Sequence, residues 1–412
     1  MRHFAIVSAL LAIAFGFTSC EKQEVEDYSD NTFKKIELTT RSADLAQTGN
    51  TFAFNFINRV NKAEKGDWFV SPLSMQFLLG MLLNGANGQT AAEICDVLGY
   101  GEDEVAAVNE FCLSMIRQLP DLDKQTKLAI ANAIFVNKNY ALRDRYKSVV
   151  SEYYDAQVTN ADFSKGSATT KAINKWCSDH TNGLITKIID NVSPQMLAYL
   201  LNAVYFKSQW KDKFNKGNTV KESFTQEGGA STTVQMMRTG KKFLYQDNDM
   251  FQAVRLPYGN GVFSMYVILP AEGKTISDVT GFISGENWKE FLRSMVMCDV
   301  DLWLPKFETN FEISLNKILS EMGMPSSFIA GKADFTAMSN SAMCLSFVKQ
   351  KAAIKVDEDG TEAAVVSITG MATAAAPGQH VVFHADHPFL YMITETTSGA
   401  ILFAGKYGGK AN

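Results

Sequence analysis

The chain has 412 residues, 46% of them hydrophobic and 20% charged, with a formal net charge of −5 at pH 7. That length and apolar content can bury a large core, in one large domain or two ordinary ones, and exclude wholesale disorder. The mild negative balance, with no long basic run, argues against nucleic acid or an anionic membrane surface as partner.

The first twenty residues read as an export signal. Met1-Arg2-His3 is a short polar start, residues 4–17 are apolar apart from Ser8 and Gly16, and Thr18-Ser19-Cys20 ends the run with small residues before a cysteine. The stretch is too short for a spanning helix and has the order of a secretory signal. F-T-S-C resembles a bacterial lipoprotein cleavage box. That resemblance implies a signal peptide over residues 1–19 and a lipidated Cys20, whose acyl chains would anchor the protein by about 0.8 kcal/mol per buried CH₂. Acidic Glu21, Glu24, Glu26 and Asp27 follow. The expectation is an extracytoplasmic, membrane-anchored lipoprotein, with the outer cell surface as a further inference.

Residues 20–41 read as the lipidated cysteine and a polar tether. From Ser42, Leu45, Phe52, Phe56, Ile57 and Val60 recur on one side of a helix. Asp67-Trp68-Phe69-Val70 is a short strand. Ser71-Pro72-Leu73-Ser74 then starts a helix, with Ser71 as cap and Pro72 in the first turn. It runs through Leu82 into a turn at 84–88. Another helix starts near Thr90, with Glu93 at the capping-box spacing. Residues 128–136 are strand and 172–179 helical. Residues 200–206 are an apolar strand broken only by Asn202, which needs hydrogen-bond partners there. Strands at 254–257 and 264–270 flank a turn at 258–261, and 300–305 is another strand. Residues 313–322 read as a helix stopped by Gly323. Residues 346–356 lead to a charged turn, Asp357-Glu358-Asp359-Gly360, and 383–393 reads as one apolar strand. There is no internal repeat and no proline-rich linker after residue 41. Helices dominate early and strands late, which points to one α+β domain rather than a doubly wound sheet.

Little in the chain points to an enzyme. No G-x-S-x-G or H-E-x-x-H occurs. Cys95, Cys112, Cys177, Cys298 and Cys344 are widely spaced and odd in number, so neither a disulfide framework nor a zinc site is indicated. His380, His384, Asp386 and His387 cluster like metal ligands, but His384 and His387 would face opposite sides of an extended strand. No metal and no cofactor is expected.

Residues 358–377 stand apart. Thr361, Val365, Val366, Ile368 and Thr369 favour strand. The alanines between them hold too little apolar surface for a core, and Glu362 is the one charge after Thr361. A segment able to pair as a strand without needing burial is a candidate for two states. K-A-A-I-K-V-D-E-D-G-T-E-A-A, an alanine-rich loop and F-H-A-D-H-P-F-L together resemble the hinge, reactive loop and C-terminal signature of the serpins, a family of serine protease inhibitors. W-F-V-S-P-L-S, L-L-N-A-V-Y-F-K-S-Q-W, L-P-Y-G-N-G, L-W-L-P-K-F and E-M-G-M-P-S-S-F…A-D-F-T match the same family in order.

The resemblance implies a serpin domain over residues 42–412, with three β-sheets, about eight to nine helices and an exposed reactive loop at 358–382. It implies an irreversible inhibitor, not a catalyst. A serine protease attacks the loop, and the freed loop enters the sheet and drags the acyl-enzyme away. The complex is covalent and 1:1, formed by a monomer. A non-inhibitory carrier or binding module is the alternative. The implied hinge is Glu358, Gly360, Thr361, Glu362, Ala363 and Ala364. Counting along from Glu358 places the reactive bond between Ala374 and Ala375, with Met371 and Ala372 through Ala376 as fallback. Alanine there suits an elastase-like pocket and disfavours a trypsin-like one. Ser71, Ser74 and Asn202 match a hydrogen-bonded shutter beneath the sheet, where Gln350 replaces the usual histidine and cannot titrate. Trp210, Lys306 and Glu358 match the breach at the sheet top. On insertion, Thr361, Ala363, Val365, Ser367, Thr369, Met371 and Thr373 would share one uncharged, inward face.

Overall fold

The computed structural model describes residues 30–361 and 380–409. Cys20, Glu362, Ala363, Ala364, Ala374 and Ala375 therefore lie outside the described residues, as does most of the 358–382 segment expected to form a reactive loop.

Among the described residues the elements run α1 (Thr40–Ala63), β1 (Trp68–Val70), α2 (Pro72–Leu83), α3 (Gly88–Leu98), α4 (Val105–Gln118), β2 (Thr126–Asn137), α5 (Asp144–Tyr154), β3 (Ala156–Ala161), α6 (Gly166–His180) and β4 (Ala198–Gln209). There follow β5 (Val220–Thr225), β6 (Ser231–Asp247), β7 (Phe251–Pro257), β8 (Phe263–Pro270), α7 (Ile276–Phe282), α8 (Gly285–Ser294), β9 (Val296–Pro305), β10 (Phe307–Ser314) and α9 (Asn316–Met322). The chain closes with β11 (Lys349–Val356), β12 (Gly360–Thr361), β13 (His380–His384), β14 (Phe389–Glu395) and β15 (Ile401–Tyr407).

Among the described residues the strands form two hydrogen-bonded sheets. One has six strands in the order β10-β11-β12-β4-β2-β3, and the other nine, β1-β15-β14-β8-β7-β6-β9-β13 with β5 also on β6. The third sheet expected from the sequence is continuous with the second through β6. That long strand pairs with β7 by its end and with β9 and β5 along the rest.

Every residue of α2 is buried, as expected for a helix apolar all round. It packs on β15 of the large sheet and β4 of the six-stranded one. The strand β4 is covered on both faces. Tyr199, Leu201 and Ala203 join Ile173, Trp176 and Cys177 of α6, while Leu200, Val204 and Phe206 meet the main core. Two covered faces explain why β4 reads as a continuous apolar run rather than an alternating one. The segment before α1 lies against the body: Ile36 is buried, Asn31 Nδ2 donates to Asp123 at 2.6 Å and Gln118 Nε2 to the Glu37 carbonyl at 2.8 Å.

Three local expectations need correction. The helix near Thr90 begins at Gly88 with Asn87 as its N-cap residue, and Glu93 closes no capping box. Its carboxylate accepts instead from Ser326 N at 2.9 Å and Ser326 Oγ at 2.7 Å, a long-range use that outweighs the local one. The helix at 313–322 is shortened to α9, because Ile313 and Ser314 pair with Gln350 and Lys349 across β10 and β11. The strand at 383–393 is two strands. Pro388, with no N–H to donate, falls in the break. Beyond it β14 pairs with β8 and β15, while β13 runs parallel to β9.

Phe77 is fully buried at the centre of α2. Phe77→Ala should lower the free energy of unfolding by about 3–5 kcal/mol, read from the shift of the urea midpoint.

Candidate functional site

The site is a gap in the six-stranded sheet and the turn that roofs it. One edge of β4 pairs with β2 and one edge of β11 with β10. Between their other edges lies β12, which is two residues long: Thr361 is in register with Val356 and Ser208, and Gly360 with Gln209. Because β12 is antiparallel to both neighbours, β4 and β11 run parallel, one strand apart. Below β12 no pairing joins them among the described residues. A cavity of about 100 Å³ lies there, bounded by Ser74, Met75 and Leu78 of α2, Leu200 and Asn202 of β4, and Gln350 of β11.

The roof is built on Trp210, just past β4. Its ring stacks on Tyr258 at 4.4 Å between centroids and 9° between planes. Its Nε1 donates to the Asp357 carbonyl at 2.8 Å. Its backbone N–H donates to the Asp359 carbonyl at 2.9 Å, and that of Phe214 to the Glu358 carbonyl at 3.0 Å. Three successive carbonyls of the charged turn are thus held by the segment after β4.

Two of the turn's three carboxyl groups, those of Glu358 and Asp359, are buried and paired. Glu358 Oε2 lies 2.7 Å from Lys306 Nζ, and Oε1 accepts from Thr219 Oγ1 at 2.7 Å. Burial alone would raise the Glu358 carboxyl, but the hydrogen bonds from Lys306 and Thr219 outweigh it and hold it below its ordinary value. Asp359 lies 2.6 Å from Lys216 Nζ and 3.5 Å from Lys213 Nζ. Burial again opposes ionisation there, and the lysines again win, so its pKa is also lowered.

Gly360 has φ 153°, and a Cβ there would lie 2.2 Å from the Ser208 carbonyl oxygen. Only glycine lets the turn approach β4 this closely. Thr361 is 2% exposed and its hydroxyl bonds the Tyr258 hydroxyl at 2.7 Å. The chain thus enters the sheet at residues 360–361 with threonine facing in.

Below the cavity mouth the polar residues form one chain. Ser71 caps α2, accepting from Ser74 N at 3.2 Å, and its Oγ donates to the Leu402 carbonyl at 2.7 Å. Ser74 Oγ donates to Asn202 Oδ1. Asn202 Nδ2 donates to Asn132 Oδ1 at 2.7 Å, and Asn132 Nδ2 to the Tyr154 carbonyl at 2.6 Å. Gln350 grips the Ser71 backbone from both sides, Nε2 donating to its carbonyl and Oε1 accepting from its N–H, each at 2.9 Å. This chain ties α2 to both β4 and β11. The amide of Gln350 carries no titratable proton.

Several of these partners are not evident from the sequence. Asn132 has the signal that marks Asn202, a lone amide in an apolar strand. Tyr258 lies in L-P-Y-G-N-G. Thr219, Lys213 and Lys216 carry no local signal. The histidines near the C-terminus pair with carboxylates or carbonyls. His387 Nδ1 is 2.8 Å from Asp386 and its Nε2 is 3.0 Å from the Pro270 carbonyl. His384 Nε2 is 3.4 Å from Glu222. Among the described residues no group of three His, Cys, Asp or Glu side chains is placed to hold a metal ion. The five described cysteines are free, all but Cys344 buried. Burial pushes the thiols of Cys95 and Cys177 up to about 11, away from nucleophilic chemistry.

The protein-family model described as serpin (serine protease inhibitor) matches residues 47–408. The chain belongs to the serpin family. An uncharacterized serpin-like protein of Thermococcus kodakarensis is 34% identical over 362 residues, spanning 87% of this chain and 84% of the relative. The crystal structure of the thermophilic serpin tengpin in its native state superposes with a TM-score of 0.81 at 26% identity, covering 92% of this chain and 97% of tengpin. Thyroxine-binding globulin in complex with thyroxine superposes at 0.80 and 26%, covering 90% and 100%. The serpin fold expected from the sequence is therefore the fold observed. Serpins include protease inhibitors and carriers.

Two outcomes follow for the hinge. Gly360→Ala adds strain of about 1–3 kcal/mol and should speed hydrogen exchange at the Gly360 and Thr361 amides by roughly tenfold or more. Glu358 and Asp359 are held below their ordinary values, so their contribution to docking is complete above the ordinary carboxylate range. It is lost as pH falls through the lowered values. Near-UV circular dichroism of the stacked Trp210–Tyr258 pair should therefore stay flat from about pH 8 to 5 and change only below about pH 4.

Proposed function

We propose that this serpin is an irreversible suicide-substrate inhibitor of elastase-like serine proteases, secreted and anchored through acyl chains on Cys20. The observation that carries the reading is the gap between β4 and β11, entered at its top by Gly360 and Thr361 and open below. A strand continuing β12 downward would satisfy both facing edges. At about 1 kcal/mol net per hydrogen bond, a dozen such residues yield on the order of 10 kcal/mol, so the intact protein is a kinetic trap.

The chemistry belongs to the target enzyme. Its serine attacks the carbonyl carbon of Ala374, the bond to Ala375 breaks, and the loop stays attached as an ester. The freed loop then inserts faster than water hydrolyses the ester, and the protease is carried away and distorted. Alanine on either side of the bond fits a shallow specificity pocket. The uncharged inward face that starts at Thr361 fits a buried strand position.

A carrier reading is favoured by the likeness to thyroxine-binding globulin, and it gives no covalent product. The deciding experiment mixes the full chain with pancreatic elastase and runs the products on an SDS gel. The expected result is an SDS-resistant adduct at the summed mass, lost in Thr361→Arg, which becomes a cleaved substrate. The Arg variant forces an unpaired cation into a site that is 2% exposed, blocking entry. An absent adduct with the unaltered chain, or an undiminished one with Thr361→Arg, contradicts the proposal. Mass spectrometry of the mature terminus should find a lipidated Cys20; any other unmodified terminus removes the anchor.

A further inference from the structure

The turn that roofs the gap is held from two sides, and the sequence announces only one of the two grips. Glu358 reaches Lys306, which sits between β9 and β10 and so belongs to the β10–β11 side of the gap. Asp359 reaches the other way, to Lys213 and Lys216, which follow β4. The turn is tied to both edges that β12 bridges.

We propose that Asp359, gripped by Lys213 and Lys216, is a latch that keeps the first loop residues docked between β4 and β11, and so sets whether a cleaved loop inserts or is released as product. The latch rests on the inhibitory reading of the gap, for which Asp359 is a positioning residue. Asp359 touches no reacting atom; it acts through the backbone of Gly360 and Thr361.

Four observations support the latch. Asp359 is buried, and its oxygens face ammonium groups at 2.6 and 3.5 Å. Lys213 Nζ is itself buried and makes no hydrogen bond; its ion pair with Asp359 is the one found for it among the described residues. Removing the carboxylate would leave a buried, uncompensated cation, which strongly disfavours the docked arrangement. The backbone of Asp359 is fixed at the same point, its N–H donating to Asp357 Oδ1 at 3.0 Å and its carbonyl accepting from Trp210. Both lysines belong to the segment whose Trp210 and Phe214 amides hold the turn, so latch and roof move as one unit. The lowered pKa of Asp359 and the raised one of Lys216, for which the hydrogen bond between them is the main charge-stabilising cause in each case, fit the same picture.

The ion pairs exist only when the turn is down, so they bias the docked state over a lifted one. Insertion after cleavage starts from the docked state. A weaker latch therefore lengthens the time to insertion and lets water reach the ester first. It leaves the protease's attack on the distant reactive bond unchanged.

The test uses the intact full chain, with Asp359→Asn and Lys216→Gln. Hydrogen exchange at the Gly360 and Thr361 amides needs no protease and should speed about tenfold in Asp359→Asn and less in Lys216→Gln, where Lys213 remains. The double variant should add nothing beyond Asp359→Asn. With pancreatic elastase, moles of inhibitor consumed per mole of enzyme should rise several-fold, with an unchanged second-order rate of loop attack and a fall in the urea midpoint no larger than the tenfold exchange change accounts for. Unchanged exchange in Asp359→Asn overturns the latch, and so does a fall in attack rate with exchange equally faster in strands far from the turn, which marks general destabilisation. An unaltered chain that forms no adduct sinks the inhibitory reading; the exchange measurement still decides the latch. Should Asp359→Asn fail to fold, the exchange and stoichiometry of Lys216→Gln decide it alone.

Discussion

Two strand edges facing each other without a strand between them are the constraint on which the rest depends. Alternate residues of β4 and β11 offer backbone groups toward the gap, the others facing β2 and β10, and each hydrogen bond left unmade there forgoes about 0.5–1.5 kcal/mol. Open edges of this kind also invite pairing with other chains. The gap sits inside the sheet rather than at its margin, and α2 closes its inner face. On the inhibitory reading proposed above, the molecule is held short of its most stable arrangement by how the gap opens.

The gap is bounded at two levels by different chemistry. At the top, the charged turn is bound by carbonyls to the Trp210–Phe214 segment and by carboxylates to Lys306, Lys213 and Lys216. Lower down, Ser71, Ser74, Asn202, Asn132 and Gln350 link α2 to the strands on either side by neutral hydrogen bonds. On the proposed reading, a strand passing downward between β4 and β11 would run past this lower chain, which ties both strands to α2. With glutamine at 350, that lower chain has no group of its own titrating near neutrality. Its strength is then insensitive to pH where a histidine would make it change.

Much of this is legible in the sequence, for physical reasons. A strand buried on both faces must read as a continuous apolar run, which marks β4, and Asn202 inside it must have polar partners. A proline behind a serine marks the start of α2. The resemblance carries the hinge, of which Glu358, Gly360 and Thr361 fall within the described residues. What the sequence hides depends on contacts distant along the chain. Glu93 has the spacing of a local cap but serves Ser326, more than two hundred residues away. Ile313 follows a helical pattern but is taken by pairing with β11. Asp359 looks like one more charge in a solvated turn, because nothing near it in sequence announces Lys213 and Lys216. Gln350 stands out as a departure from the family pattern, yet its bidentate hold on Ser71 is a property of the assembled core.

The most direct test of the gap is hydrogen exchange along its two edges, at residues 198–207 and 349–355, before and after a single cut in the loop. If the loop fills the gap, those amides become strongly protected in the cut molecule, on both strands together. If exchange along β4 and β11 is the same in the cut and uncut protein, the loop does not enter, and the gap is not a vacant strand position.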